Sequence, residues 1–472
     1  MLMSSHEIIL RELQAIKAEI DQLESLAKRI RLNRSSRLTE MIRRVPTLIR
    51  EDGRTSFAKW MKNNEPDPRY QPICQIEQAC SRMYSDLQAK IDVLETWQAA
   101  CEQKVCLFLG TIDFDFLFQR PQHFAVRLAK KGYLVYYIDA SFGGYNRQIQ
   151  GVHVRSAPDR IAPDIQSCQD EKSQCLVCEW LEQLVDEIVW LTGGANLIVM
   201  NQHPLWQGAA EVVRQKYQSP IVADYMDDYL DFPGTPAAVK PYVHRLLQNS
   251  DVVLVTSEYL EKKAYQSGAK RIEIIRNGTD CQHFYSASCY TKAPEQKLTV
   301  GYYGVLSTWF DCKIIEAISA SDLDVEICLV GTVTPQVAKD FEKLQNLPKV
   351  RILDAVPYEQ LPAILQQFDV CLIPFDANND LIKATNPVKF YEYLSAGKKV
   401  VATEIPELMP YNELYLYCEN EDNAFVERVR QCLNGTDTLA KSDEVIGFAQ
   451  KNDWDERVNQ FVNLIKCLKP LN

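Results

Sequence analysis

The chain has 472 residues, which at roughly 150 residues per domain allows about three folded units with substantial cores. Apolar residues make up 46% and charged residues 24% of it. These shares exclude disordered, collagen-like and purely coiled-coil classes. A net charge of −11 argues against general nucleic-acid binding. No run of about 18 apolar residues occurs, and charges interrupt the N-terminal segment where a signal peptide would be apolar, so we expect a cytoplasmic protein.

The 15 cysteines are expected to be reduced, because their number is odd and most of them sit singly in apolar runs. Cys175 and Cys178 form a CxxC, and Cys168 lies nearby. A zinc or redox site normally needs a second such pair or a thioredoxin-like context, and neither is evident. We therefore expect no metal or other cofactor.

Residues 1–102 form a helical extension in this interpretation. Apolar or small residues alternate at spacings of four and three in two patterns typical of a coiled-coil seam; these run through Ile9, Leu13, Ile16, Ile20, Leu23, Ala27 and Ile30, and through Ile73, Ile76, Cys80, Met83, Leu87, Ile91 and Leu94. The two helices could pair as a hairpin, join two chains into a homo-oligomer, or simply pack on the following domain.

A basic segment, residues 28–50, lies between these patterns and carries eight Lys or Arg against the single acidic Glu40. With aliphatic residues interleaved, it could lie peripherally on an anionic membrane surface. A solvated or acid-paired helix face explains it equally well. Residues 63–72, NNEPDPRYQP, read as a proline-rich loop.

From residue 103 onwards, short apolar runs alternate with helical stretches. The first set of predicted strands covers 104–110, 133–139, 196–202, 220–227, 251–258 and 271–278, and the second covers 298–304, 325–331, 350–356, 369–375 and 398–404. Near-continuous apolar strands with intervening helices predict an α/β fold of two tandem, doubly wound Rossmann-like domains. We place these domains at 103–290 and 296–450, with a C-terminal helix at 451–472 packing back towards the first.

Chemistry in such sheets is expected just after the strands. No GxGxxG or Walker motif is present. The segment 372–403 is informative instead. Its predicted strand ends at Phe375, and a predicted helix begins at Asn386 and Pro387. Lys389 and Glu392 are three positions apart on this helix and so lie on one face. Helix amides and a lysine attract phosphate, and a carboxylate can bind a ribose diol. An ordinary surface pair is the alternative.

From about residue 104 onwards, the chain resembles the GT-B-fold, nucleotide-sugar-dependent glycosyltransferases, especially their large, mostly retaining group. The stretches that carry this resemblance are FQRPQHFAVRLAKKGYLVYYID, VVLVTSEYLEKKAYQSGAKRIEIIRNGTD, LTVGYYGVLSTWFD, VPYEQLPAILQQFDVCLIPF and TNPVKFYEYLSAGKKVVAT. Each stretch is weak alone, but their order and spacing are specific.

The resemblance implies a donor site in the second domain. Glu392 matches the second glutamate of the family's paired-glutamate motif, which holds the donor ribose. Ala384 stands where the first glutamate would be, so Thr385 and Asn386, or the loop ending at Asp380, would contact the donor sugar instead.

Lys389 would meet the donor diphosphate. Gly304 would let the backbone approach the phosphates. Its loop carries Ser307, Thr308 and Asp311, where many relatives carry Arg and Lys. The backbone of 354–356 would flank the base.

The resemblance also implies an acceptor side in the first domain. The loop 110–123 carries Asp113, Arg120 and His123, and NQHP places His203 where relatives often have a cleft histidine; the two histidines are the catalytic candidates. The acidic run 224–232 supplies Asp224, Asp227 and Asp228, which we assign to the interdomain or acceptor side and not to a metal.

The sequence thus predicts a metal-independent, hexosyltransferase-like enzyme, retaining more readily than inverting, that moves a sugar from a nucleoside diphosphate sugar to a glycan, lipid-linked or protein acceptor. Surface-polysaccharide or glycoconjugate synthesis is the expected setting. Two alternatives stay open. One is a nucleotide-sugar 2-epimerase on the same fold. The other is an inactive glycosyltransferase-like scaffold, because Ala384 replaces the first glutamate of the family motif.

Overall fold

The structure is a computed structural model that describes residues 11, 14–22, 25, 82, 85–92, 103–192, 196–230, 235–288, 296–418 and 422–468. The chain divides into two compact units, one of residues 1–103 with 187–195 and the other of 104–186 with 196–472. In the described part, no helix is long and apolar enough to cross a membrane.

Where it is described, the first unit is helical at 11, 14–22, 25, 82, 85–92 and 187–192, and Gln103 lies outside a helix. Ile16 and Ile20 of the first predicted seam are half-buried, and Leu87 and Ile91 of the second are buried. The other seam residues, the basic segment 28–50 and the loop 63–72 lie outside the described residues, so the coiled-coil arrangement stays a prediction.

The second unit contains two mainly parallel sheets. The strands of the first sheet are β1 (Val105–Leu109), β2 (Leu134–Ile138), β3 (Arg147–Ile149), β4 (Val152–Arg155), β5 (Leu197–Asn201), β6 (Ile221–Tyr225), β7 (Val252–Val255) and β8 (Ile272–Ile274). Their order is β3-β4-β2-β1-β5-β6-β7-β8. Only the β3–β4 pair is antiparallel, and Val105 of the central β1 faces both Leu134 and Leu197 in parallel register.

The strands of the second sheet are β9 (Leu298–Tyr303), β10 (Val325–Val330), β11 (Val350–Leu353), β12 (Val370–Ile373), β13 (Lys399–Thr403) and β14 (Leu416–Cys418). Their order is β11-β10-β9-β12-β13-β14, all parallel. These two sheets confirm the predicted fold class of two Rossmann-like domains.

Helices cover both sheets. They are α1 (Arg120–Lys130), α2 (Glu171–Thr192), α3 (Gln207–Tyr217), α4 (Lys240–Asn249), α5 (Glu258–Gln266), α6 (Cys281–Tyr285), α7 (Cys312–Ala320), α8 (Ala338–Gln345), α9 (Leu361–Gln366), α10 (Asp380–Ala384), α11 (Val388–Ser395), α12 (Asp422–Asn434), α13 (Ser442–Lys451) and α14 (Trp454–Lys466). Short 3₁₀ segments lie at Ile165–Ser167, Pro204–Trp206, Ala237–Val239, Pro335–Val337, Tyr358–Gln360 and Pro406–Tyr411.

The last helix, α14, packs into the core of the first sheet although the second sheet precedes it in the chain. Trp454 and Phe461 are fully buried there, and both rings contact Phe124 of α1 edge-on. The Trp454 amide also donates to the Thr279 carbonyl. The chain thereby crosses between the two domains twice.

Candidate functional site

A cavity of about 180 Å³ opens between the carboxyl-end loops of the two sheets. Its walls are Asp227 and Asp228 from the first domain, and Trp309, Phe375, Leu381, Ile382, Ala384, Thr385, Pro387 and Lys389 from the second. The region beyond the carboxyl ends of the strands is where doubly wound folds bind ligands. The cavity therefore brings predicted donor-side residues together with two carboxylates from the acceptor domain.

Lys389 supplies the positive charge of this cavity. It lies in the first turn of α11, is half-buried, and has its Nζ 5.5 Å from the centre of the Tyr302 ring. Burial lowers the pKa of Lys389, and the Glu392 carboxylate partly opposes that shift. Within the described part of the chain, the ammonium makes no ion pair with a carboxylate.

Gly304 makes room for this lysine, and Gly331 makes room for Gly304. Gly304 has φ +138°, and a Cβ there would lie 2.0 Å from Lys389 Cε. Gly331 has φ +154°, and a Cβ there would lie 1.9 Å from the Gly304 carbonyl oxygen. Only glycine fits both positions, since L residues rarely adopt these angles. Gly304 thus occupies a predicted close-approach position, whereas Gly331 escaped the sequence analysis.

Glu392 lies one turn further along α11 and is only 6% exposed. The alternative interpretation of Lys389 and Glu392 as an ordinary surface pair is therefore wrong for Glu392, because the helix packs this residue against Tyr303 of β9. The Tyr303 hydroxyl donates a hydrogen bond to Glu392 Oε2 at 3.0 Å. Burial raises the pKa of Glu392 to about 7, against the lowering effects of Lys389 and that hydrogen bond.

The segment before α11 joins the domains. Asn386 was predicted to contact the donor, but its side chain accepts a hydrogen bond from the Asn277 amide at 2.9 Å and donates to the Tyr391 hydroxyl at 3.1 Å. Asn277 in turn donates to the Asn386 carbonyl at 2.7 Å. The Asn386 side chain thereby connects Asn277 of the first domain to Tyr391 of α11. The helix begins at Val388, with Pro387 as a cap that makes no side-chain bond.

Thr385 and Ala384 line the cavity beside this junction. The Ala384 carbonyl accepts a hydrogen bond from Ser257 of the first domain at 2.9 Å. Arg276 and Glu407 form a further ion pair between the domains at 2.5 Å. Sequence reasoning missed Asn277, Ser257 and this pair, because nothing in their local pattern indicates a contact more than 100 positions away.

Ser307 and Thr308 lie in the loop after Gly304 but do not line the cavity. Ser307 is buried and accepts a hydrogen bond from the Thr334 hydroxyl at 3.0 Å. Thr308 is exposed. Residues 354–356 follow β11 at the same edge of the second sheet, with Asp354 exposed.

The acidic run after β6 splits into three environments. Asp224 is fully buried and pairs with Arg120 at 2.9 Å. Asp228 is buried and binds Lys263 and the Tyr225 hydroxyl. Asp227 is exposed to the cleft. In the described ranges, no group of His, Cys, Asp or Glu is arranged to hold a metal ion.

Arg120 was predicted to face the acceptor, but it is only 3% exposed. Besides Asp224, it donates to the Ile275 carbonyl at 2.9 Å. Asp113 is half-buried, and its Oδ1 accepts from the Ser141 amide at 2.7 Å. Gln122, which sequence reasoning passed over, donates to the carbonyls of Asp113, Phe114 and Phe116. These residues hold the loop 111–119 in shape.

His123 is buried away from the cavity. It is 1% exposed, stacks on Trp454 with ring centres 4.9 Å apart, and contacts Arg127 through Nδ1 at 2.9 Å. Burial, reinforced by Arg127, lowers its pKa well below the usual value. This environment suits a neutral ring that joins α1 to α14.

His203 follows β5 and is 7% exposed. Its Nδ1 accepts from the Leu205 amide at 3.4 Å, and its ring meets Tyr229 edge-on. Burial lowers its pKa to about 4. Neither histidine is among the residues that line the cavity.

The two facing Rossmann-like sheets define a GT-B fold. Sucrose-phosphate synthase from Thermosynechococcus elongatus superposes with a TM-score of 0.62 at 15% identity, over 77% of this chain and 98% of that one. HepE from Anabaena, in complex with UDP and glucose, superposes with 0.59 at 15% identity, over 78% and 100%. These likenesses concern the fold.

The sequence resemblance is confirmed at the second domain, where residues 305–435 match the family described as glycosyl transferases group 1. TuaH of Bacillus subtilis, whose name assigns it to teichuronic acid biosynthesis as a glycosyltransferase, is 24% identical over 226 residues. That alignment covers 45% of this chain and 55% of TuaH. The match thus spans about half the length of this curated relative.

Proposed function

We propose that the protein is a glycosyltransferase that moves a sugar from a nucleoside diphosphate sugar to an acceptor. The donor binds the second domain, and the acceptor binds the first. The observation that carries this proposal is Lys389, a half-buried cation that faces a cavity without an ion-pair partner in the described residues. An uncompensated buried charge is costly, and a diphosphate would compensate it.

The chemistry would be dominated by stabilisation of the departing diphosphate. Lys389 lies in the first turn of α11, where its ammonium and the positive end of the helix dipole both favour negative charge. As the bond to the sugar breaks, the charge that develops on the diphosphate is met by groups already in place. We propose that no metal ion is required for this step.

The identity of the donor is a further part of the proposal. HepE has been solved with UDP and with UDP-glucose, so UDP-sugars are the first donors to test. Ala384 stands where the family has a glutamate, and Thr385 carries the one hydroxyl among the described residues that line the cavity. Retention of anomeric configuration and a role in surface polysaccharide or glycoconjugate synthesis follow the family resemblance and the name of TuaH.

The test is release of nucleotide from a panel of UDP-glucose, UDP-galactose, UDP-N-acetylglucosamine and GDP-mannose. Slow hydrolysis of one donor by the wild type, weakened at least tenfold in Lys389→Ala, supports the proposal. Lys297→Ala is a matched control, because Lys297 precedes β9 at the opposite end of the same sheet. Epimerised sugar would establish the epimerase instead, and no reaction with any donor would favour the inactive scaffold.

A further inference from the structure

Most of the described residues that line the cavity beside Lys389 are apolar. Six of the ten have apolar side chains, and all six belong to the second domain; they are Trp309, Phe375, Leu381, Ile382, Ala384 and Pro387. We call these six residues the apolar wall. Phe375, Leu381, Ile382 and Ala384 are buried, so the packing of the second domain holds them in place.

Few polar side chains remain for a ligand in this cavity. Thr385 and Lys389 are the polar residues that the second domain contributes to the described lining. On the first-domain side, the Asp228 carboxylate is already bonded to Lys263 and to a tyrosine hydroxyl. If Lys389 holds the diphosphate, Thr385 and Asp227 are the side chains left for the hydroxyls of the sugar.

The other side chains that the sequence analysis assigned to the donor sugar do not add to these two. Asn386 is bonded within the junction between the domains. Asp380 pairs with Lys383 at 2.5 Å, and neither residue lines the cavity. Ala384, at the position of the family's first glutamate, presents a methyl group where a carboxylate would accept hydrogen bonds from sugar hydroxyls.

Backbone amides could bind sugar hydroxyls in place of side chains, but most of those near the apolar wall are already bonded. Seven amides between residues 375 and 385 donate to other groups of the chain, namely those of Phe375, Asp376, Asn378, Asn379, Leu381, Ile382 and Thr385. The Trp309 indole hydrogen-bonds to Tyr302. A hydroxyl pressed against this wall would therefore lose its hydrogen bonds to water without replacing them.

We propose that the donor is a nucleoside diphosphate 6-deoxyhexose, an inference that rests on the proposed transferase function. A sugar bonded to a diphosphate at Lys389 lies in the same cavity and meets the apolar wall. The exocyclic carbon C6 projects furthest from a hexose ring and so reaches a wall first. A methyl group there packs on the apolar side chains, whereas a hydroxymethyl group would bury an unpaired hydroxyl. The ring hydroxyls face Thr385, Asp227 and the open side of the cavity.

The preference expected from such a wall is moderate. An apolar pocket discriminates against a ligand that carries one extra hydroxyl by about 10²-fold at most. The wild type should therefore also cleave the fully hydroxylated donor, about 10- to 100-fold less efficiently than its 6-deoxy counterpart.

The test compares matched donors that differ only in the hydroxyl on C6, with hydrolysis by the full-length protein as the readout. The pairs are UDP-glucose with UDP-6-deoxyglucose, UDP-galactose with UDP-D-fucose, UDP-N-acetylglucosamine with its 6-deoxy counterpart, and GDP-mannose with GDP-D-rhamnose. In the pair that the wild type cleaves fastest, kcat/KM for the 6-deoxy donor should be at least tenfold higher.

Two variants test whether the apolar wall causes this preference. Leu381→Gln and Ala384→Glu each add a group that can hydrogen-bond to a C6 hydroxyl, so each should lower the ratio of the two kcat/KM values at least fivefold. Leu298→Gln is the matched control, because Leu298 is exposed at the start of β9, at the opposite end of the sheet. This control should keep the wild-type ratio.

Calorimetry with the matching nucleoside diphosphate shows which variants keep the fold and the diphosphate site, and Leu381→Gln decides if Ala384→Glu no longer binds. A wild-type ratio below tenfold, or a Leu381→Gln protein that keeps the wild-type ratio, would overturn the inference and leave the proposed function standing. Release of nucleotide from none of the eight donors would overturn the proposed function, and this inference with it.

Discussion

Replacing Gly304 with alanine should move Lys389 away from the cavity. The added Cβ would lie 2.0 Å from Lys389 Cε and 2.6 Å from its Nζ. These atoms are the far end of a flexible side chain, so we expect the lysine side chain to shift. The backbone at Gly304 has less room to move, because its carbonyl lies close to Gly331. The φ of +138° at Gly304 adds backbone strain of about 1–3 kcal/mol.

The expected loss of affinity follows from the contact with the diphosphate that we propose for Lys389. A charged hydrogen bond to phosphate contributes about 1.5–3 kcal/mol, so the Kd for a nucleoside diphosphate should rise about 10- to 150-fold. Calorimetry with UDP and GDP on Gly304→Ala, Lys389→Ala and the double variant measures this. Gly304→Ala and Lys389→Ala should remove the same contact, between the lysine and the diphosphate. The double variant should therefore bind no more weakly than Lys389→Ala alone.

The control for backbone strain is Gly435→Ala. Gly435 has φ +67° and nothing within 4 Å of an added Cβ. This variant should lose stability without losing affinity. Additive losses in the double variant, or a Gly304→Ala protein that binds like the wild type, would refute the reasoning.

Three further outcomes are expected. Glu392→Gln should weaken donor use tenfold to a hundredfold. Burial raises the pKa of Glu392 from 4.5 to about 7, so the stability that this group gives the wild type should fall as pH rises from 4.5 to 7. Urea unfolding of the variant over this pH range should not show that fall. Activity should survive EDTA, and loss on chelation restored by Mn²⁺ or Mg²⁺ would contradict metal independence. Full-length protein should float with anionic vesicles, and a chain beginning at Glu102 should not; equal failure of both would remove the membrane hypothesis.

Much of the fold could be predicted because parallel strands are buried on both faces. Each of the eleven apolar runs proposed from the sequence contains a strand. The strands that were missed, β3, β4 and β14, are short and lie at or next to a sheet edge, and β3 and β4 also have polar or alternating composition. The turn between β3 and β4 places Gln150 at φ +48°, which no local pattern signalled.

Of the site, the sequence could predict only the residues that lie on one face of a single helix. Lys389 was found because its position after a strand and at a helix start has a physical meaning. The burial of Arg120 depends on Asp224, which lies 104 positions away, and the engagement of Asn386 depends on Asn277, 109 positions away. Such pairings arise from tertiary packing, so a polar residue at a strand end can serve the junction instead of the ligand.

A crystal structure of the full-length protein with bound UDP or GDP tests the central claim most directly. The account predicts the diphosphate in the cavity between the two sheets, with one of its oxygens within hydrogen-bond distance of Lys389 Nζ and with Asp227 on the opposite domain facing the open end. A diphosphate bound elsewhere, or a lysine that makes no contact with it, would contradict the assignment of this cavity as the donor site.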